Sequence, residues 1–92
     1  AEAAVKIITL NGTKMREKTV AFEYLARKFG LGPEIKNLDA LYDALGEINE
    51  ATQINLKNRT ALSALGGYAD DLIAVFTDLA EENERVKFEI LS

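Results

Sequence analysis

The chain opens on a short β-branched run, Val5-Lys6-Ile7-Ile8-Thr9-Leu10, which predicts a strand over Val5–Leu10. Asn11-Gly12 follows it. Such a pair often turns a hairpin, but Thr13 to Lys18 is polar and charged and offers no second alternating strand, so the pair reads as a strand exit. Phe22, Leu25, Ala26 and Phe29 then recur at i, i+3, i+4 and i+7, the stripe of an amphipathic helix, with Thr19 as its expected cap. Gly30 and Gly32 end that helix and Pro33 prevents its continuation. After the loop Leu31–Lys36, Asn37 is the expected N-cap of a second helix, whose apolar face is Leu38, Leu41, Leu45 and Ile48.

Ile54 and Leu56 alternate with polar neighbours across Gln53–Lys57, which predicts a second strand. Asn58 is placed to cap a brief helix through Leu65, stopped by Gly66-Gly67. A longer helix from about Tyr68 to about Glu84 buries Leu72, Val75, Phe76 and Leu79, with Asp70 and Asp71 at its positive end. Val86, Phe88 and Ile90 alternate with Lys87 and Glu89 as a closing strand. The order is β-α-α-β-α-α-β. Strands joined by helical crossovers pair in parallel, so the expected fold is a small α/β domain: a three-stranded parallel sheet flanked by about four helices. No repeat, low-complexity tract or linker divides the 92 residues, and one domain over 1–92 is expected.

Charge changes this picture more than composition does. The net charge is −4, but residues 1–36 carry +3 and residues 37–84 carry −8. Between Asn37 and Leu56 there are four carboxylates (Asp39, Asp43, Glu47 and Glu50) and no lysine or arginine. On a helix these fall opposite the leucine face. Asp39–Asp43 and Asp43–Glu47 would be like-charge pairs at i,i+4, each costing the helix about 0.2–0.5 kcal/mol. The stripe is either an ordinary solvated face or a surface for a cationic partner. Tyr42, between the aspartates, is either core packing or an exposed aromatic anchor. Asp78 and Glu82 repeat the like-charge spacing on the last helix.

The absences exclude most chemistry. There is no cysteine and no histidine, hence no disulfide, no thiol nucleophile, no thiolate metal site and no catalytic triad. Ser63 lies in Ala-Leu-Ser-Ala-Leu and lacks the setting of a nucleophile elbow. Gly30-Leu31-Gly32 and Gly66-Gly67 match no phosphate loop, and the carboxylates lack the oxygen spacing of a calcium loop. No enzyme, cofactor or metal is expected. An acidic central half argues against nucleic acid and against anionic membranes as direct ligands, and for a basic protein reached by electrostatic steering. No long apolar stretch or signal peptide is evident, so a cytoplasmic location is expected, and a monomer when free.

The run Asn37-Leu38-Asp39-Ala40-Leu41-Tyr42-Asp43-Ala44-Leu45 resembles the signature of the barstar family, small bacterial inhibitors of a secreted, basic, guanyl-specific ribonuclease. The opening strand into Asn11-Gly12, Val75-Phe76-Thr77-Asp78 and the closing Ile90-Leu91-Ser92 fall in the same register. The resemblance implies that the acidic helix and the loop before it plug the ribonuclease active site. It implies that Asp43 takes the place of a substrate phosphate, with Asp39 as a neighbouring binder and Asn37 at the loop-to-helix junction. It places Tyr42 where the family usually has tryptophan, and Asp78 where it usually has glutamate. Glu47 joins these candidates from the acidic stripe. Family members usually carry aromatic residues and a glycine just before the asparagine; here the run is Pro33-Glu34-Ile35-Lys36, shorter and with neither. The expected function is inhibition of a basic ribonuclease by occlusion and phosphate mimicry. The alternative is a regulatory adaptor of the same fold that binds another basic protein.

Overall fold

A computed structural model describes residues 5–91. The closing Ser92 of the family-register run lies outside them. Three strands, β1 (Lys6–Asn11), β2 (Thr52–Lys57) and β3 (Val86–Ile90), form one sheet in the order β1-β2-β3. Both pairs are parallel, with Ile8 opposite Ile54 and Ile54 opposite Phe88. Three α-helices are α1 (Lys18–Phe29), α2 (Leu38–Leu45) and α3 (Tyr68–Glu82). The expected fourth helix is a 3-10 segment, Arg59–Leu65, and a shorter 3-10 turn, Gly12–Lys14, follows β1.

The alternation in the strands makes the sheet two-faced. Ile8, Leu10, Ile54, Leu56 and Val86 point into the core. The opposite face carries Thr9, Gln53, Asn55, Lys87 and Glu89, with Gln53 donating to Asn55 at 2.8 Å. Parallel sheets are usually covered on both faces. Here the polar residues at every second position let one face meet water. Ile7, 66% exposed, is the apolar exception on that face among the residues of the three strands.

The helices complete the core from the other side. Phe22, Leu25, Leu41, Leu45, Leu72, Phe76 and Leu79 are all buried. Phe76 stacks on Phe29 at 6.2 Å and on Phe88 at 5.4 Å, joining α3 to α1 and to β3. Val75, expected in the buried stripe of α3, is only half-buried, because it faces a surface groove described below.

Several local expectations are corrected. Thr19 does not cap α1: the cap is Glu17, in extended backbone, without a side-chain hydrogen bond, and Thr19 is already helical. Gly30 closes α1 in the left-handed region (φ 70°), and Leu31 N–H returns to the Ala26 carbonyl at 2.7 Å. Asn58 does not cap by its side chain. It adopts φ 56°, which asparagine tolerates, and its Nδ2 donates to Asn11 Oδ1 at 2.9 Å. That bond joins the two 3-10 segments where Gly12 passes so close that a Cβ there would lie 2.2 Å from the Asn58 carbonyl oxygen. The last helix stops at Glu82, where the Asn83 side chain donates to the Ile48 carbonyl at 3.0 Å and ties α3 to the segment after α2.

Candidate partner-binding groove

The site begins with the cap of α2. Asn37 sits in extended backbone and its Oδ1 accepts from Ala40 N–H at 2.8 Å, which starts the helix where the asparagine predicts. From that start, Leu41 and Leu45 turn inward and Asp39 and Asp43 turn outward, both exposed. α2 packs beside α3, and Leu38, Asp39, Tyr42, Asp43, Val75 and Asp78 line a shallow groove between them. Three carboxylates from two helices therefore converge on one surface depression, with an apolar floor of Leu38 and Val75. No lysine or arginine lines it.

Tyr42 lines this groove and is half-buried, between the packed and the exposed positions weighed from sequence. Its ring packs against the core while its hydroxyl donates to Glu82 on α3. That bond, then partial burial, then the negative charges of Glu82, Asp78 and Asp43 push the phenol up to about 12 from its ordinary 10.0. The hydroxyl is thus held protonated as a donor, and it latches α2 to α3 across the acidic face.

Glu47 does not join the groove. α2 ends at Leu45, and the chain leaves it through tight turns, with Glu47 N–H on the Ala44 carbonyl at 3.3 Å and Ile48 N–H on the Leu45 carbonyl at 3.1 Å. Gly46, a poor helix former, stands at that exit. Glu47 and Ile48 are consequently off the helical face assigned to them, and the Asp43–Glu47 helical pair does not exist. Glu50 is further removed. It lies 3.8 Å from Lys6, both side chains more than half exposed, so the stripe is not wholly without a cation. An exposed pair of this kind contributes little.

Glu82 is the residue that sequence reasoning left out of the site. Its signal was the i,i+4 spacing from Asp78, but its partner Tyr42 lies 40 positions away in the chain and only the packing of α2 on α3 brings them together. Among the described residues no group of three or more histidine, cysteine, aspartate or glutamate side chains could hold a metal ion, and no helix is long and apolar enough to cross a membrane.

A three-stranded parallel sheet covered on one face by helices, two of which frame a carboxylate-lined groove, defines a small α/β domain with an exposed acidic surface. The sequence profile of one such family, Barstar (barnase inhibitor), matches residues 5–92. The chain belongs to that family, whose members are inhibitors and not enzymes. No curated protein matches the sequence.

Proposed function

We propose that this chain inhibits a basic ribonuclease by seating its α2–α3 groove over the enzyme's cationic active site, in the cytoplasm and without turnover. The observation that carries the reading is the convergence of Asp39, Asp43 and Asp78 on one exposed groove free of positive charge. A ribonuclease active site is built to hold a phosphodiester monoanion, and its more negative transition state, with cations. A carboxylate on a rigid helix offers the same charge without a scissile bond. Asp43 is the phosphate mimic in this reading, Asp39 its neighbour toward the helix start, and Asp78 a third contact from α3. Asn37 fixes the helix end, and Tyr42 supplies the aromatic anchor beside the aspartates. Glu47, off the groove, has at most a peripheral, steering role.

The −8 balance of residues 37–84 gives such a complex a fast, salt-sensitive encounter. The loop Pro33–Lys36 lacks the aromatic contact area of other family members, so the groove carries a larger share of the binding. The test is an RNA-cleavage assay with barnase as probe and cytochrome c, a basic protein that is not a nuclease, as a control ligand. Expected are inhibition that saturates at one chain per enzyme in low salt, progressive relief as the Debye length falls from about 30 Å to about 8 Å, and much weaker association with cytochrome c. Full cleavage at tenfold excess of the chain in low salt overturns the proposal. Equal affinity for cytochrome c would favour the adaptor reading instead.

A further inference from the structure

On the other side of the Pro33–Lys36 loop the surface has a second concavity of opposite character. A cleft of about 720 Å³ opens between α1, this loop and the start of α3. That size lies within the roughly 300–1,000 Å³ of small-molecule sites. Phe22 and Ile35, both buried, form its floor. Tyr68 forms a wall, meeting Phe22 edge to face with centroids 6.3 Å apart and planes at 81°. Two cations stand over these apolar groups. Lys18 Nζ lies 4.3 Å from the centre of the Tyr68 ring, and Lys36 is exposed on the rim, with no ion pair among the described residues. Glu23 is the single carboxylate in the lining, so the described wall carries a net charge of +1.

This combination does not serve the acidic groove. A basic partner gains nothing from two lysines. We propose that the cleft is a binding site for a small aromatic monocarboxylate. Its ring enters against Phe22, Ile35 and Tyr68, where aromatic contacts and burial favour it. Its carboxylate takes Lys36 and draws Lys18 from its resting place on the Tyr68 ring, exchanging a cation–π contact for a charge-assisted hydrogen bond. The Tyr68 phenol, pushed up by burial and then by the charge of Asp71, stays protonated and adds no negative charge to the wall. The net charge of the wall matches one negative charge on the ligand.

The site stands independently of the ribonuclease reading and is tested on the free full-length chain. Phenylacetate, phenylacetamide and acetate are titrated into the ¹⁵N-labelled protein, following backbone amides by NMR. Phenylacetate should give saturable shifts concentrated at Phe22, Ile35, Lys36 and Tyr68. The neutral amide and the ring-less anion should each bind at least tenfold more weakly. Lys36→Gln, on an exposed loop position, should weaken phenylacetate severalfold with an unchanged thermal melt, and Lys18→Gln should weaken it severalfold too, with a slightly lower melt from the lost Tyr68 contact. Linear, non-saturating shifts, an equal response to the amide, or indifference to both substitutions overturns the proposal. A tripeptide, N-acetyl-Glu-Phe-Glu-amide, that saturates the same amides at lower concentration than phenylacetate would also overturn it, making a protein segment the occupant.

Discussion

Leu41 and Leu45, on the inner side of α2, are 0% and 1% exposed, whereas Asp39 and Asp43, on the outer side of the same eight residues, are open to water. The inner pair contributes to folding, since burying a leucine side chain is worth about 1.5–3 kcal/mol. The outer pair does not. Asp39 and Asp43 repel each other at i,i+4 by about 0.2–0.5 kcal/mol. Asp39 recovers some of this from its place in the first turn, where the helix dipole favours an anion; Asp43 does not. One face of the helix is therefore explained by the fold, and the other is the face that the proposed cationic partner would use. A surface that costs the free protein stability and gathers like charge from a second helix is what a cationic partner requires.

The largest effect expected from separating the two faces is on the inner one. Leu41→Ala should lower stability by about 2–5 kcal/mol in urea melts, because the fully buried site cannot collapse to fill the cavity. A loss below about 1 kcal/mol would mean that α2 is not anchored as described. Next is the cap between the faces. Asn37→Ala should cost about 1 kcal/mol by removing the acceptor for Ala40 N–H, and Asn37→Asp should restore most of it. If both variants melt as the parent does, the asparagine is not the cap.

The smallest effect is at the Tyr42–Glu82 latch. With the folded phenol raised to about 12, the native state holds the Tyr42 proton more tightly than the unfolded chain does. This contribution to stability is complete below pH 10.0 and is lost as pH rises toward about 12. A difference titration at 295 nm between the parent and Tyr42→Phe should place Tyr42 ionisation near the upper end of that window, and Glu82→Ala should bring it down. A Tyr42 that titrates unchanged in Glu82→Ala would show that the hydroxyl has no such partner.

Most of the fold was legible because its signals are local. Alternation at Ile54 and Leu56, and at Val86 and Phe88, names the strands, while the stripes at Phe22–Phe29 and Leu72–Leu79 name the helices between them. Parallel pairing then follows from the connections. What sequence missed was set by termination and by tertiary contact. Ile48 and Glu50 keep the helical spacing of α2, yet the chain has already left the helix at Gly46, since periodicity does not say where a helix stops. Asn58 has the residue type of a cap, yet its side chain is taken by Asn11 from a distant strand end. Within the site, Asp39, Asp43 and Asp78 were placed correctly on their helices and do share one groove. Glu47 falls outside that groove, and Glu82 enters the surface through a bond to Tyr42 that no local spacing records.

The central claim is that the outer face of α2 exists for binding and not for the fold, and Asp43→Ala tests it most directly. The variant would be measured twice, by calorimetric titration against the inhibited ribonuclease and by urea melt of the free chain. The account predicts binding weakened by about 2–5 kcal/mol or more, because the enzyme's cations are left buried and unpaired. It predicts free-chain stability unchanged or slightly raised, because one member of a like-charge pair is gone. Binding equal to that of the parent, or a variant that unfolds, would contradict it.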